Sequence, residues 1–220
     1  MELWSMRPMR RYLDMLVFGG ERRLVQGAPP PPIWRRLFHI VAGSSIPLAG
    51  IFVSETAMIW ALAVLAGQGL ALDLVRFRVG WLNALFTRLL APLLKEYEAA
   101  HITGATYMLI AALIVYVLYG KEVAIPVMFF LSLGDPAAAM VGRRMPGPRI
   151  FGKSPLGTAA FIGVGAGAAA VLVAANGIDY HWALWVGAGV AGVVELASIP
   201  PDDNLSIPLL AGSVMFLLGV

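Results

Sequence analysis

One carboxylate, Asp135, is followed closely by Arg143, Arg144, Arg149 and Lys153 within LGDPAAAMVGRRMPGPRIFGKSPLGT (133–158), a polar, Gly- and Pro-rich island between two apolar runs. Lipid offers such charges nothing, whereas a metal ion and a polyphosphate together would use both signs. GPRIFGKS (147–154) also spells G-x-x-x-x-G-K-[ST] letter for letter. That motif needs a preceding strand and a flexible Gly-rich turn. Here an apolar span precedes it and Pro146 and Pro148 stiffen it, so the spelling reads as coincidence. Its local phosphate logic survives. Ser154 is a good N-cap and Pro155 a good first helical residue, so a helix should start there. The amides of that helix start, with Gly152 and Lys153 beside them, would make an anion site. The bland alternative is that the four cations only enforce membrane topology.

Two further groups have the residue types for chemistry. Gly134 and Pro136 around Asp135 predict a broken or kinked helix, which would set the carboxylate below the membrane surface. An ionisable group at that depth is a functional candidate, against the plainer reading of a pair with Arg143. In PPDDN (200–204) the neighbours Asp202 and Asp203 repel each other, and the forty residues before them hold no basic residue. A divalent cation such as Mg²⁺ would relieve that repulsion, with Asn204 as ligand or helix cap. Glu195, about two helical turns earlier, would reach the same site or make a polar contact between helices. Glu98 and His101 stand at i, i+3 ahead of an apolar run and can face one another, and Asp73 and Arg76 have the same spacing. His39 occupies a position similar to His101.

The elements that must carry these residues belong to a membrane. Of 220 residues, 59% are hydrophobic and 13% charged, with a mean hydropathy of +0.79; soluble domains carry about 25% charged residues. There is no cysteine, hence no disulfide or thiolate metal site, and the net charge of +3 does not ask for nucleic acid. No cleavable signal sequence is evident. The pattern predicts an all-α, polytopic integral membrane protein with about seven transmembrane helices, near 36–53, 56–74, 104–119, 122–141, 155–176, 181–199 and 204–220. A basic, Pro-rich segment, 1–35, precedes the membrane domain, 36–220. Residues 75–103 read as an interfacial helix pair broken at Pro92, with Trp81, Leu85, Leu89 and Leu93 set against Arg88 and Lys95. Glycines 157, 163, 165, 167, 187, 189 and 192 read as close-packing positions of the fifth and sixth spans.

Seven Lys and Arg precede or open the first run, four lie in 75–103 and four in 142–154, against one, Lys121, between the third and fourth runs. The positive-inside bias then makes the N-terminus cytoplasmic and the C-terminus external. The loops 75–103, 142–154 and 199–204 share the cytoplasmic face. Asp73, Arg76, His101, Asp135, Lys153, Glu195 and Asp202–Asp203 converge on that face, so a site there faces the cytoplasm.

HITGATY (101–107), GDPAAAMVGRR (134–144), GKSPLGT (152–158), Glu195 and PPDDNLSIPL (200–209), in this order, give the chain its likeness. It resembles the CTP-dependent polyprenol kinase family, which includes dolichol kinase, phytol kinase and the CTP-using diacylglycerol kinase. The resemblance covers most of the chain from about residue 73 onward. It implies transfer of the γ-phosphoryl group of CTP to the hydroxyl of an isoprenoid or related lipid alcohol, with a divalent metal. Asp135, Asp202 and Asp203, assisted by Asn204, would then hold Mg²⁺. Lys153, Arg143 and Arg144 would bind the triphosphate at the helix start of Ser154. Asp135 or Asp203 would orient or deprotonate the lipid hydroxyl. Two other readings use the same residues: a phosphatidate cytidylyltransferase-like enzyme that attacks the α-phosphate of CTP, and a small ion-coupled transporter.

Overall fold

The computed structural model describes residues 33–220; the basic segment expected over 1–35 lies outside them except for its last three residues. Seven helices of 15 to 24 residues follow the expected order: α1 (Ile33–Phe52), α2 (Glu55–Arg78), α4 (Gly104–Tyr119), α5 (Lys121–Arg144), α6 (Pro155–Ala174), α7 (Ala183–Ala197) and α8 (Asp203–Leu217). The shorter α3 (Gly80–Leu90) and a 3₁₀ turn at Glu96–Ala99 lie between α2 and α4. Three helices, α2, α5 and α6, are long and apolar enough to cross a membrane by length and composition. Helices α4, α7 and α8 are apolar but shorter.

Helix α5 is the axis of the bundle. It packs on α1, α4, α6, α7 and α8, and every residue from Val123 to Val127 is buried. Helix α2 packs on α4 and α3 and barely touches α1. Large apolar side chains cover the outer faces of α1 and α2, Trp34, Phe38, Val41, Phe52, Trp60 and Val64 among them. That inversion of the soluble pattern is what a bundle solvated by hydrocarbon requires.

Two local expectations are corrected. Of the break or kink expected at Pro136, the break does not occur: helix α5 continues to Arg144. Proline removes only the one backbone hydrogen bond to the carbonyl four residues earlier. Close packing on α6 carries the helix past it: a Cβ on Gly134 would lie 2.9 Å from the Phe161 ring, and one on Gly157 2.7 Å from the Ala138 carbonyl oxygen. In 75–103 the expected helix pair is one helix and a 3₁₀ turn. Helix α3 stops at Leu90, short of Pro92, as the steric restriction ahead of a proline favours. Its Trp81, Leu85 and Leu89 are exposed along one side, the amphipathic stripe read from the sequence.

The glycine expectation divides. Gly192 meets Ile162 of α6 as expected, and Gly165 meets Ala188 of α7 but more closely Phe130 of α5; Gly157 packs on α5 and Gly187 on Met215 of α8, whereas Gly163, Gly167 and Gly189 face open space. Helical periodicity puts the latter three on outward faces. Gly157→Leu should therefore destabilise the bundle by about 1–3 kcal/mol through overpacking. Gly163→Leu should leave the melting temperature in detergent unchanged or raised, because glycine is a poor helix residue. A thermal melt of both variants checks this.

Candidate active site

Arg76, in the last turn of α2, is fully buried. Its Nε donates to Asp73 Oδ1 at 2.7 Å, the i, i+3 pair expected from the sequence. Its Nη atoms donate to Asn83 Oδ1 at 2.8 Å and to the carbonyls of Glu98, Ala99 and His101 at 2.8, 3.3 and 2.6 Å. The guanidinium carbon lies 4.5 Å from the ring centroids of both Phe77 and Phe86. A planar donor fork between two rings fits arginine and no other cation. Asp73 Oδ2 meanwhile accepts from the Thr103 amide and the Thr106 hydroxyl at 3.0 and 2.8 Å, fixing the start of α4. Glu98 completes the frame by accepting from the amides of Lys95 and Gly104 at 2.6 and 2.9 Å. His101 does not face Glu98. Glu98 is taken up by those amides, and the exposed His101 ring turns back to the Tyr97 carbonyl, 2.7 Å away.

This frame presents Lys95 and Tyr97 to Asp202. Lys95 Nζ and the Tyr97 hydroxyl donate to Asp202 Oδ2 at 3.1 and 3.0 Å, and Oδ1 caps α8 by accepting from the Asn204 amide at 3.0 Å. Burial opposes both charges, yet Lys95 beside it, with the Asn204 amide, holds the Asp202 carboxyl below its ordinary range. Burial likewise works against the Lys95 ammonium, and Asp202 and Tyr97 outweigh it to hold that group above its ordinary value. Burial and Asp202 push the Tyr97 phenol up to about 12 against the pull of Lys95. Asn204 is buried, its amide packed on the backbone of Gly104, where a Cβ would come within 2.6 Å.

Lys153 is presented by a tight turn. Ile150 and Lys153 exchange backbone hydrogen bonds at 2.8 and 2.9 Å around Phe151 and Gly152, with φ of 49° and 82°. Positive φ at both central residues is the type I′ requirement, easy for glycine and unusual for phenylalanine. Gly152 is thus held by turn geometry. Lys153 Nζ lies 2.8 Å from Glu195 Oε1, at the end of α7, and 2.8 Å from Asp203 Oδ2, at the start of α8. Burial lowers the affinity of this ammonium for its proton, but Asp203 and Glu195 more than reverse that and raise it. Thr158, on the first turn of α6, donates to Glu195 Oε2 at 3.3 Å. Helix α6 begins at Pro155 as expected, but the buried Ser154 makes no side-chain cap bond.

The adjacent carboxylates are therefore separated by two lysines, one to each, and their repulsion needs no metal to relieve it. A stretch of sequence without basic residues is not a volume without them. Among the described residues no three His, Asp or Glu side chains stand close enough to hold a metal ion by themselves. Asp202 has both oxygens engaged. Asp135, half-buried on α5, makes no side-chain hydrogen bond or ion pair among the described residues, and lies within electrostatic reach of Glu195, Arg36 and His39. The expected pair with Arg143 is absent: Arg143 Nε donates to the Ala139 carbonyl at 2.9 Å, and Arg143, Arg144 and Arg149 are exposed around the mouth of the turn.

Sequence reasoning singled out Asp73, Arg76, Glu98, Glu195, Lys153, Asp202 and Asp203, which the structure joins at one end of the bundle. It missed Tyr97, Asn83, Thr106 and Thr158 as partners, and gave Lys95 only a place on a polar face. The one available signal was the polar run KEYE (95–98) between apolar stretches.

Arg76→Lys keeps the charge but leaves buried carbonyls without donors. It should cost about 3–5 kcal/mol and open 79–103 to limited proteolysis. The Lys95–Asp202 clamp has a pH signature. Because the Asp202 value is depressed, its stabilisation is present above about pH 4 and lost as pH falls further. Because the Lys95 value is raised, the clamp persists until well above about pH 10. Melting temperatures should thus drop on the acid side, and Asp202→Asn should lower the neutral-pH value and flatten that drop.

Comparison with curated proteins finds two that the chain resembles. It is 26% identical over 161 residues, 66% of this chain and 74% of the other, to "CTP-dependent diacylglycerol kinase 1" of Schizosaccharomyces pombe. It is 28% identical over 182 residues, 80% of this chain and 88% of the other, to "Uncharacterized protein RP860" of Rickettsia prowazekii. No family model and no solved structure matches.

Proposed function

We propose that this chain is a membrane-embedded, CTP-dependent lipid kinase that phosphorylates the terminal hydroxyl of a lipid alcohol, of isoprenoid or polyprenol type in the finer reading. The observation that carries this is the cluster of Lys153, Glu195 and Asp203, with Asp135 in electrostatic reach, at one end of an apolar bundle. The likeness to a CTP-dependent diacylglycerol kinase supports the donor and the acceptor class. Seven spans with a cytoplasmic N-terminus would put this end of the bundle at the cytoplasmic interface, where nucleotide and lipid hydroxyl meet.

In this reading Lys153 leaves its carboxylates to bind the triphosphate, helped by the amides at the start of α6 and by Arg143 and Arg144 at the mouth. The lipid hydroxyl oxygen attacks the γ-phosphorus of CTP. The bond from that phosphorus to the β-bridging oxygen breaks, CDP leaves, and the hydroxyl proton passes to a carboxylate. Asp135, with its side chain uncommitted, is the better acceptor. Such transfer depends mainly on positioning and on compensating phosphate charge. Carboxylate oxygens suit a divalent ion that takes one or two protein ligands and completes its shell with phosphates. Asp135 and Asp203 fit that role; Asp202, with both oxygens used by Lys95, Tyr97 and the α8 cap, fits a positioning role instead. Bound there, the ion would neutralise charge on the phosphates.

The test is a matrix of CTP and ATP against phytol, geranylgeraniol, a long polyprenol and diacylglycerol, using purified protein in lipid micelles. The expected products are CDP and a phosphorylated alcohol, with loss of turnover by about 100-fold or more in Asp135→Asn and Lys153→Ala. Release of pyrophosphate with a CDP-lipid product would instead establish a cytidylyltransferase.

A further inference from the structure

Two groups on α1 have unmet hydrogen-bonding capacity. His39 Nε2 and Arg36 Nε are buried and have no hydrogen-bond partner among the described residues. At i, i+3 they share one face of the helix. That face is turned to α5: both groups feel the charge of Asp135, and the His39 ring meets the backbone of Leu131, one turn before Asp135. Farther along the same stripe Gly43 and Pro47 are buried, and a Cβ on Gly43 would lie 2.9 Å from Ser132 Cβ. The opposite face, with Trp34, Leu37, Phe38 and Val41, is exposed and apolar.

A buried polar atom without a partner costs about 1–3 kcal/mol, and native structures rarely carry one without cause. Two on one face, both within electrostatic reach of an uncommitted carboxylate, ask for a ligand with a small polar head. Trp34 and Phe38, on the outer face of the same turns, are the aromatic residues of a membrane–water boundary and set the depth of Arg36 and His39 near it. A lipid lying along α1 would bring its head to the depth of His39, about two turns into the helix.

We infer that Arg36 and His39 form the acceptor arm of the site. His39 holds the hydroxyl of the lipid alcohol against Asp135, and Arg36 meets the phosphoryl group as it arrives and then the lipid monophosphate. A hydroxyl both donates and accepts, so it satisfies either tautomer of the ring. Arginine suits the phosphate by its fork of donors. The inference rests on the lipid-kinase reading and assigns that reading's acceptor side to α1, a helix to which the nucleotide-side residues Lys153 and Ser154 do not belong.

The experiment compares the full-length wild type with His39→Leu, His39→Gln, Arg36→Gln and, on the outer face of α1, Phe38→Leu. Steady-state constants are measured for CTP and for geranylgeraniol, and thermal stabilisation by geranylgeranyl monophosphate is measured without nucleotide or metal. We expect His39→Leu to raise the KM for the alcohol about tenfold while the KM for CTP stays unchanged, with His39→Gln recovering part of the loss. Arg36→Gln should abolish stabilisation by the monophosphate, and Phe38→Leu should alter neither. Equal alcohol KM and equal monophosphate stabilisation in wild type and variants would overturn the inference, as would a rise confined to the KM for CTP. Stabilisation of the wild type by the monophosphate that Arg36→Gln abolishes, found without any alcohol phosphorylation, would uphold the acceptor arm and sink the kinase reading.

Discussion

Charge buried at the end of an apolar bundle has to find its counter-charge within the protein. Around the base of α2, α4, α7 and α8 each buried carboxylate answers a cation or a backbone amide from another element. Asp73 takes Arg76 and the start of α4, Asp202 takes Lys95, and Glu195 and Asp203 share Lys153. Removing one partner from such a pair leaves the other as an uncompensated charge in a medium that solvates it poorly. The same pairs that carry candidate chemistry therefore also set the helix ends in register. Asp202 is the clearest case, being at once helix cap and anchor for the segment before α4.

The network divides the labour between holding and acting. Arg76, buried and surrounded, has donors committed to three carbonyls and two side chains. Lys153 has two carboxylates and a partly open setting, and Asp135 has its side chain uncommitted among the described residues. Under the proposed lipid-kinase reading, substitution at the first should be felt as lost stability, at the others as lost turnover.

Much of this was legible in the sequence where a relation is local. The spacing of Asp73 and Arg76 announced their pair, Ser154–Pro155 announced the start of α6, and the apolar runs gave seven helices close to their observed bounds. Relations across the chain were not legible. Lys95 and Asp202 are separated by 107 positions and Lys153 and Asp203 by 50, so the sequence displayed two repelling neighbours and concealed both cations. Pro136 misled for a related reason: its local preference to interrupt a helix is overridden by packing against Phe161 and Gly157, residues that only the folded chain brings alongside.

The turn at Phe151–Gly152 has a mechanical consequence. Backbone hydrogen bonds close it on both sides, so the Cα of Lys153 is fixed relative to Ile150 and to the first residue of α6. Any exchange of the ammonium between its two carboxylates and an incoming anion then reduces to torsions of a four-carbon stem. Side-chain rotamer changes at partly exposed positions are orders of magnitude faster than loop rearrangements. The charge swings on a stationary pivot, and the end of the bundle can remain closed while it does so.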